Sequence, residues 1–162
     1  MRPIPHLLAA LLFSTSLFCA AADMVSESSF QVVHEAAKSG KRAQIETILK
    51  GNPGLRDIRS PLGSTPLHLA ALNPDTGPLQ ALIAAGADPN ARDHDGTTPL
   101  HMAAYGTNAK AAQLLLQAGA DPTAKTNAGR DPTSMARKVR ADEVAGVISL
   151  WLLKGCKPGK PC

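Results

Sequence analysis

Apolar residues follow the period of an α-helix in two short segments between residues 98 and 119. In the first segment, 99–105 (PLHMAAY), leucine, methionine and two alanines supply one face. In the second segment, 109–117 (AKAAQLLLQ), three leucines form the predicted buried side. Gly106 and Gly119 follow the two segments, where glycine commonly ends a helix, and a polar stretch rich in turn residues comes next. The pattern predicts two short helices that are joined by a turn and followed by a loop.

The same arrangement recurs along the chain at a fixed period. GSTPLHLAALN begins at Gly63, GTTPLHMAAYG at Gly96 and a degraded copy, GRDPTSMARKV, at Gly129, so successive copies start 33 residues apart. A weaker copy begins at Val33 with VHEAAKSG. One such pair of helices is too short to bury its own apolar face, but stacked pairs bury a continuous core. The sequence therefore predicts an all-α solenoid of about four helix–turn–helix units with β-turn or hairpin loops between them.

Composition and local signals agree with small, closely packed helices. Aromatic residues make up only 3% of the chain and apolar residues of all kinds 44%, so Ala, Leu and Ile must fill the interior. Thr98 is predicted to cap the first helix of its unit, and Pro99 fits the first turn because no N–H is needed there. Asn108 is predicted to cap the second helix, and Gly119 to end it.

Residues 31–153 resemble ankyrin repeats. The Thr-Pro-Leu-His-x-Ala signature of that family stands here as TPLHLAA at 65–71 and TPLHMAA at 98–104, with the family's 33-residue period. The resemblance implies an ankyrin domain over residues 23–155 and a cysteine-bounded tail at 156–162. The implied units are residues 28–57, 58–90, 91–123 and 124–155, with boundaries good to a few residues.

The departures from the family pattern fall where a repeat array permits them. The first unit lacks Thr-Pro, and the last has Ser134 where the histidine would fall. Terminal units of such arrays are expected to be atypical. In the second unit, LNPDTGPLQ replaces the usual turn between helices, so Pro74 and Pro78 predict a shortened first helix and a delayed second one.

The first 22 residues have the features of a secretory signal peptide. Arg2 precedes an apolar run at residues 7–18, and small residues follow as far as Ala22, after which cleavage is predicted; cleavage after Ala21 is nearly as good. The run is too short for an ordinary membrane span, so no span is predicted in the mature chain. Export places the protein in a bacterial periplasm or, alternatively, outside the cell.

The cysteines give a second prediction that depends on export. Cleavage after Ala22 removes Cys19 and leaves Cys156 and Cys162, in CKPGKPC. Two cysteines in an exported chain predict a disulfide, which would staple the end of the last helix. A redox-active or metal-binding pair stays open, although the spacing is not C-x-x-C and no histidine is near. A lipid on Cys19 is a further alternative, but Phe18 is a poor match to the small residue expected before it.

Charge and motifs narrow the class of function. Lys and Arg number 17 against 13 Asp and Glu, a formal charge of +4 that loss of Arg2 lowers to +3. The signs are interspersed without a basic block, so nucleic acid is not a predicted partner. No nucleophile motif, zinc-binding His-Glu-x-x-His or phosphate loop is visible. The sequence predicts neither an enzyme nor a cofactor or metal protein.

Three histidines recur at one position of the repeat, and a fourth lies at a predicted loop tip. His34, His68 and His101 take the same place in successive units. Stacked helices lie about 8–10 Å apart, whereas two ligands of one zinc ion lie within about 4 Å of each other, so these histidines are predicted to tie neighbouring loops together by hydrogen bonds. His94 lies between two aspartates at a predicted loop tip. Contact with a partner, an ordinary polar turn and cation or base chemistry all stay open for His94.

The ankyrin resemblance also implies a binding face. In that family the loop tips and the exposed edge of the first helices form a concave groove for a partner protein. By position, the groove residues here would be Lys38, Leu62, Ser64, Leu72, His94, Asp95, Thr97, Tyr105, Asn127, Arg130 and Lys138. Tyr105, the one tyrosine of the chain, is the candidate anchor. The alternative that it only covers the edge of the groove stays open.

The predicted function is that of an exported, monomeric, non-catalytic module that binds an unknown partner protein. Inhibitor, immunity and support roles are all compatible with such a module. An effector released from the cell, and a thiol-redox protein that uses the C-terminal cysteine pair, are the alternatives from other classes.

Overall fold

The computed structural model describes residues 30–160, and these residues form eight α-helices arranged as four successive pairs. The helices are α1 (30–39), α2 (Arg42–Gly51), α3 (Pro66–Ala70), α4 (Gly77–Ala84), α5 (Pro99–Tyr105), α6 (Ala109–Gln117), α7 (Pro132–Lys138) and α8 (Asp142–Leu153). A 3₁₀ helix, Pro53–Asp57, follows α2. The described part of the chain contains no β-strand, so the predicted all-α fold is confirmed. The predicted signal peptide at 1–22 and Cys162 lie outside the described residues.

The helices of the third unit begin where the local signals predict. Thr98 precedes α5 with extended backbone, and the His101 Nδ1 accepts the Thr98 backbone N–H at 3.2 Å. His101 thus takes the part that Glu or Gln plays in a capping box. Asn108 caps α6, because its side-chain oxygen accepts the Ala111 N–H at 3.0 Å. Both predicted starts are confirmed.

The end of α6 depends on a left-handed residue. Gly119 has a φ of +100°, a conformation that side chains rarely adopt. Its N–H donates to Leu116 O at 3.1 Å, and the next N–H, of Ala120, reaches back to Leu115 O at 2.9 Å. The chain therefore leaves the helix at a fixed angle, and the predicted glycine C-cap is confirmed.

Small side chains let the units stack closely. Ala70 at the end of α3, Ala71 directly after it, and Ala103 and Ala104 of α5 expose no surface at all. The inner layer of helices runs from α3 to α5 to α7, and in the outer layer α2 packs on α4 and α6 packs on α8. One apolar cluster continues through all four pairs, from Val33 to Trp151. This shared core is what a single pair of helices could not supply.

The second unit departs from the others in the predicted way. Helix α3 ends at Ala70, whereas α5 continues for two residues beyond the equivalent Ala103. Helix α4 begins at Gly77 and carries a proline in its first turn. A Cβ on Gly77 would lie 3.0 Å from the Cβ of Arg42, so the missing side chain permits a close approach to α2. The shortened first helix and delayed second helix are confirmed.

The last helix is extended relative to its counterparts. At the end of α6 Ala120 donates to Leu115 O, and at the end of α8 Cys156 donates in the same way to Trp151 O, 36 residues later instead of 33. Cys156 thus occupies the place of Ala120 and is partly buried against the core. The tail then folds back on the third unit, where the Gly159 N–H donates to Gln117 O at 3.0 Å.

Candidate functional site

Three hairpin loops project from the stack at corresponding positions in successive units. They are residues Ser60–Ser64, Asp93–Thr97 and Thr126–Arg130, and in each the first N–H donates to the last carbonyl, at 2.9, 3.0 and 2.9 Å. The hairpins also bind one another. The His94 N–H donates to Leu62 O at 3.1 Å, and the Asn127 N–H to Asp95 O at 2.9 Å. A continuous hydrogen-bonded ladder therefore fixes the three tips relative to each other.

The repeat-matched histidines connect this ladder to the helices. His34, His68 and His101 hydrogen bond through Nε2 to the carbonyl oxygens of Ser64, Thr97 and Arg130, at 2.9, 3.0 and 3.0 Å. Each acceptor is the last residue of the next unit's hairpin. The prediction that these histidines tie neighbouring loops together is confirmed.

The protonation state of two of these histidines follows from their partners. Burial lowers the pKa of His68 and of His101 below the ordinary value of 6.5, against a smaller opposing effect of the backbone carbonyl that each contacts. In each ring Nδ1 already accepts a backbone N–H, from Thr65 or Thr98, so the proton resides on Nε2 and is donated across the unit boundary. If Nδ1 were also protonated, it could no longer accept the hydrogen bond from the threonine N–H.

Arginine side chains join the hairpins from the outside of the ladder. Arg59 donates to Arg92 O at 2.7 Å, and Arg92 donates to Lys125 O at 2.6 Å, each across 33 residues. These guanidinium groups bind neutral carbonyl oxygens rather than carboxylates. Within residues 30–160 the ion pairs are Arg42–Glu46 and Arg56–Asp57.

Asparagines join the turns between helices in a similar way. Asn73 donates to Gly40 O at 3.1 Å, and Asn108 donates to Asn73 O at 2.8 Å. Sequence reasoning assigned Asn108 only to its helix cap and did not assign Asn73 at all. The 33-residue repeat gives no signal for these bonds, because the acceptors are backbone carbonyls that every residue has.

The predicted groove residues lie on the surface made by the hairpin tips and the exposed side of α1, α3, α5 and α7, which we term the inner face. Eight are exposed: Lys38, Leu62, His94, Asp95, Tyr105, Asn127, Arg130 and Lys138. Ser64, Leu72 and Thr97 are half-buried. Their positions within the repeat assign all eleven to this face, and whether a partner contacts them stays a prediction.

The residues of the hairpin tips are not equally available to a partner. The Asn127 side chain donates to His94 O at 2.9 Å, so it holds the ladder together. The His94 ring covers Gly63, which has a φ of +79°, and a Cβ on that glycine would come within 2.6 Å of His94 Cδ2. Leu62, at the first tip, is 74% exposed.

Apolar side chains cover the middle of the inner face. Tyr105 is 62% exposed, and Leu72 at the equivalent position one unit earlier lies over Gly106, next to Tyr105 in the chain. Leu69 and Met102 are half-buried and pack against the core from the same side of α3 and α5. Sequence reasoning did not assign Leu69 and Met102, although the spacing that relates Leu72 to Tyr105 also relates these two residues.

Charge is unevenly distributed along the same face. Lys38 of the first unit shares α1 with the exposed Glu35, three residues away. Arg130 and Lys138 of the fourth unit are exposed and take part in neither ion pair of the described chain. Asp131, beside Arg130, is occupied as the cap of α7: hydrogen bonds from Ser134 lower the pKa of Asp131 below its usual 3.8. The fourth unit therefore carries an excess of positive charge.

The described residues were also compared with the requirements of a metal site and of a membrane-spanning helix. Among residues 30–160 no three His, Cys, Asp or Glu side chains are grouped so that they could hold a metal ion. No helix in that range is long and apolar enough to cross a membrane. The predicted Cys156–Cys162 disulfide involves Cys162, outside the described residues, and stays a prediction.

Stacked helical pairs with a laddered row of hairpins define a repeat solenoid whose exposed, apolar inner face suits it to bind another protein. A family model of ankyrin repeats, in three copies, matches residues 33–126, which is more than half of the chain. The chain therefore belongs to the ankyrin repeat family, whose members are generally non-catalytic modules for protein–protein interaction.

Known relatives share only part of their length with this chain. Inversin of mouse is 39% identical over 62 residues, which are 38% of this chain and 6% of inversin. Inversin of dog is 33% identical over 81 residues, 50% of this chain and 7% of inversin. Ankyrin repeat protein FPV240 of fowlpox virus is 36% identical over 56 residues, 35% of this chain and 14% of the viral protein. The chain thus spans a small fraction of each of these relatives.

Proposed function

We propose that the protein is an exported, non-catalytic binding protein that holds a partner protein on its inner face in a bacterial periplasm. The observation that carries this proposal is the exposure of two apolar side chains, Leu62 at the first hairpin tip and Tyr105 at the end of α5, on a surface whose three hairpins are hydrogen-bonded to one another. An exposed apolar cluster of this kind on a soluble domain is typical of an interaction site.

The hairpin ladder supports a rigid mode of binding. His94 and Asn127 hold the tips by backbone bonds, and His68 and His101 hold the tips to the helices. A face that is ordered before the partner arrives loses little conformational entropy on association. This arrangement suits an inhibitor, immunity or support role, each of which requires stable occupation of a partner surface rather than turnover.

Export rests on the sequence of residues 1–22, whose features are those of a signal peptide.

In the oxidising periplasm we further propose a disulfide between Cys156 and Cys162. The partly buried position of Cys156 and the return of the tail to Gln117 through Gly159 support this bond. Reactivity toward an alkylating reagent should appear only after reduction, and two readily alkylated thiols in the native exported protein would refute the bond.

Affinity capture from a periplasmic extract tests the binding function. Residues 23–162 serve as the bait and should retain a partner. A Leu62→Ala, Tyr105→Ala double variant should retain at least tenfold less of it, since an interface hot spot commonly contributes about 2 kcal/mol or more. A matched variant, Lys50→Ala with Lys110→Ala, changes two exposed residues of the outer helices and should capture normally. Equal capture by all three proteins would refute the inner face as the binding surface.

Fractionation of the producing cells separates the periplasmic proposal from the alternative of a released effector. We expect the mature protein in the periplasmic fraction. A protein found mostly in the culture medium would favour the effector.

A further inference from the structure

We propose that the partner segment held on the inner face is an extended stretch of protein that carries a large apolar side chain and, about three residues away, an acidic side chain. This inference rests on the proposed function and adds the chemistry of the partner. The apolar side chain would rest on Leu72 and Tyr105, and the acidic one would lie over the fourth unit, between Arg130 and Lys138.

The apolar half of this proposal follows from the middle of the face. Leu62 at the first hairpin tip and Tyr105 at the end of α5 are 74% and 62% exposed, and Leu72, one unit before Tyr105 in the repeat, is half-buried. Leu72 lies over Gly106 with Cδ2 only 2.9 Å from where a Cβ would stand, so the second and third units share one apolar surface. Such a surface gains free energy only by covering another apolar group.

The acidic half follows from a substitution within the repeat. Tyr105 and Leu72 are replaced in the fourth unit by Lys138, and Ser64 and Thr97 at the ends of the first two hairpins are replaced by Arg130. The Arg130 backbone is fixed on both sides, because its N–H donates to Thr126 Oγ1 and its carbonyl accepts from His101. Its side chain is exposed, and so is that of Lys138.

Neither Arg130 nor Lys138 forms an ion pair within the described residues. The nearest carboxylate along the chain, Asp131, is engaged by Ser134 through both of its oxygens. Asp95 is the acid of the preceding hairpin tip. Its carboxylate would repel an acidic side chain of the partner, which therefore lies closer to α7 than to the tips. Arg137, exposed on α7 where the other units have a buried Ala71 or Ala104, adds a third positive charge nearby.

The spacing follows from the stacking of the units. Lys138 lies one unit beyond Tyr105, and packed helices lie about 8–10 Å apart. An extended segment in the polyproline II conformation advances about 3.1 Å per residue and brings every third side chain to the same side. About three residues therefore separate the side chain on Tyr105 from the one that reaches Lys138.

Selection from a random linear peptide library displayed on phage tests the proposal, with residues 23–162 as the bait. Peptides with Asp or Glu about three residues from Leu, Phe or Met should be enriched. The charge-reversed bait Arg130→Glu, Lys138→Glu should instead enrich Lys or Arg at that position. A bait with the same change of charge on the outer helices, Lys50→Glu with Lys110→Glu, should select the same peptides as the wild type. Circular dichroism verifies that each bait is folded.

A synthetic copy of an enriched peptide makes the test quantitative. Replacing its acidic residue by Gln should weaken the Kd about two- to fivefold at low salt, and the difference should shrink at high salt, as for exposed charge pairs. Acidic enrichment that is absent with the wild type, or that persists with the reversed bait, overturns the inference.

The Leu62→Ala, Tyr105→Ala bait separates the two levels of the argument. If this bait loses the enriched peptides while the charge reversals change nothing, the inner face binds but the acidic preference is wrong. If it keeps the peptides, or if no library peptide is enriched on any bait, the proposed function and the inference fail together.

Discussion

His68 and His101 each join three parts of the structure through one imidazole ring. Nδ1 accepts the N–H of the residue before the helix, and Nε2 donates to a carbonyl of the next hairpin. Both rings are fully buried, so a lost partner is not replaced by water. The Thr-Pro-Leu-His string is therefore a structural element: it starts a helix and positions the neighbouring hairpin.

The depressed pKa values of these two histidines predict a pH-dependent stability. The unfolded chain takes up protons near pH 6.5, but burial disfavours the charged form in the folded chain. The folded state therefore binds fewer protons, and its free energy of unfolding is full above 6.5 and falls as the pH drops from there through the lowered folded pKa. Urea unfolding at pH steps between about 7 and 5, where carboxylates stay mostly ionised, measures this loss.

A His101→Gln variant provides the comparison for that pH series. Its free energy of unfolding should be lower by about 1–3 kcal/mol at neutral pH because a buried hydrogen bond is lost or distorted, and it should depend less on pH than that of the wild type. A wild-type stability that does not change over this window would contradict the assignment of neutral buried rings.

At the level of helices and turns, the sequence predicts helix bounds that depend on nearby residues, but it does not predict hydrogen bonds between units. Thr98, Asn108 and Gly119 act on groups within a few residues of themselves, so the bounds of α5 and α6 could be read from them. The bonds of Asn73 and Arg92 reach carbonyl oxygens 33 residues away, which no residue type marks in advance. The place of Cys156 against the core, equivalent to that of Ala120, is likewise not marked by the sequence, since only tertiary packing brings it there.

The candidate site divides along the same line. Position within the 33-residue repeat predicts that Tyr105 and Lys138 share the inner face, and both residues are exposed in the structure. It could not show that the Asn127 side chain donates a hydrogen bond to His94 O, because that bond depends on the register between two hairpins.

Asn108→Ala tests how far one turn residue supports two units. The change removes the cap on the Ala111 N–H and the bond to Asn73 O. We expect a loss of about 2–3 kcal/mol in the free energy of unfolding, above the typical value of about 1 for a cap alone. Gln113→Ala, exposed on the same helix, is the control and should change stability by less than about 0.5 kcal/mol. A loss for Asn108→Ala no larger than that of a simple cap would show that the bond between units contributes little.

The whole molecule is a stack whose first unit presents an uncovered end within the described chain. Val32 is 56% exposed and Ala36 is half-buried, whereas Ala70, Ala103 and Ala136 at the equivalent place in later units are fully buried. A groove of about 900 Å³ runs along this end. The interior units are thus packed on both sides and the first on one, so the stability of each unit depends on its neighbours rather than on its own helices.

That dependence gives a prediction for the array as a unit. Trp151, the sole tryptophan, is buried in the fourth unit, while Leu67 is fully buried in the second. Leu67→Ala leaves a cavity that costs about 2–5 kcal/mol. If the four units unfold together, the fluorescence of Trp151 must report this loss although the whole third helical pair, α5 and α6, lies between the second unit and the fourth. In urea the fluorescence and far-UV circular dichroism midpoints should coincide in the wild type and shift together in Leu67→Ala, whereas Val32→Ala at the exposed end should shift neither. A Trp151 transition that stays at its wild-type midpoint while the circular dichroism signal becomes biphasic would mean that the units unfold separately, and a face built across all four of them could then not be rigid.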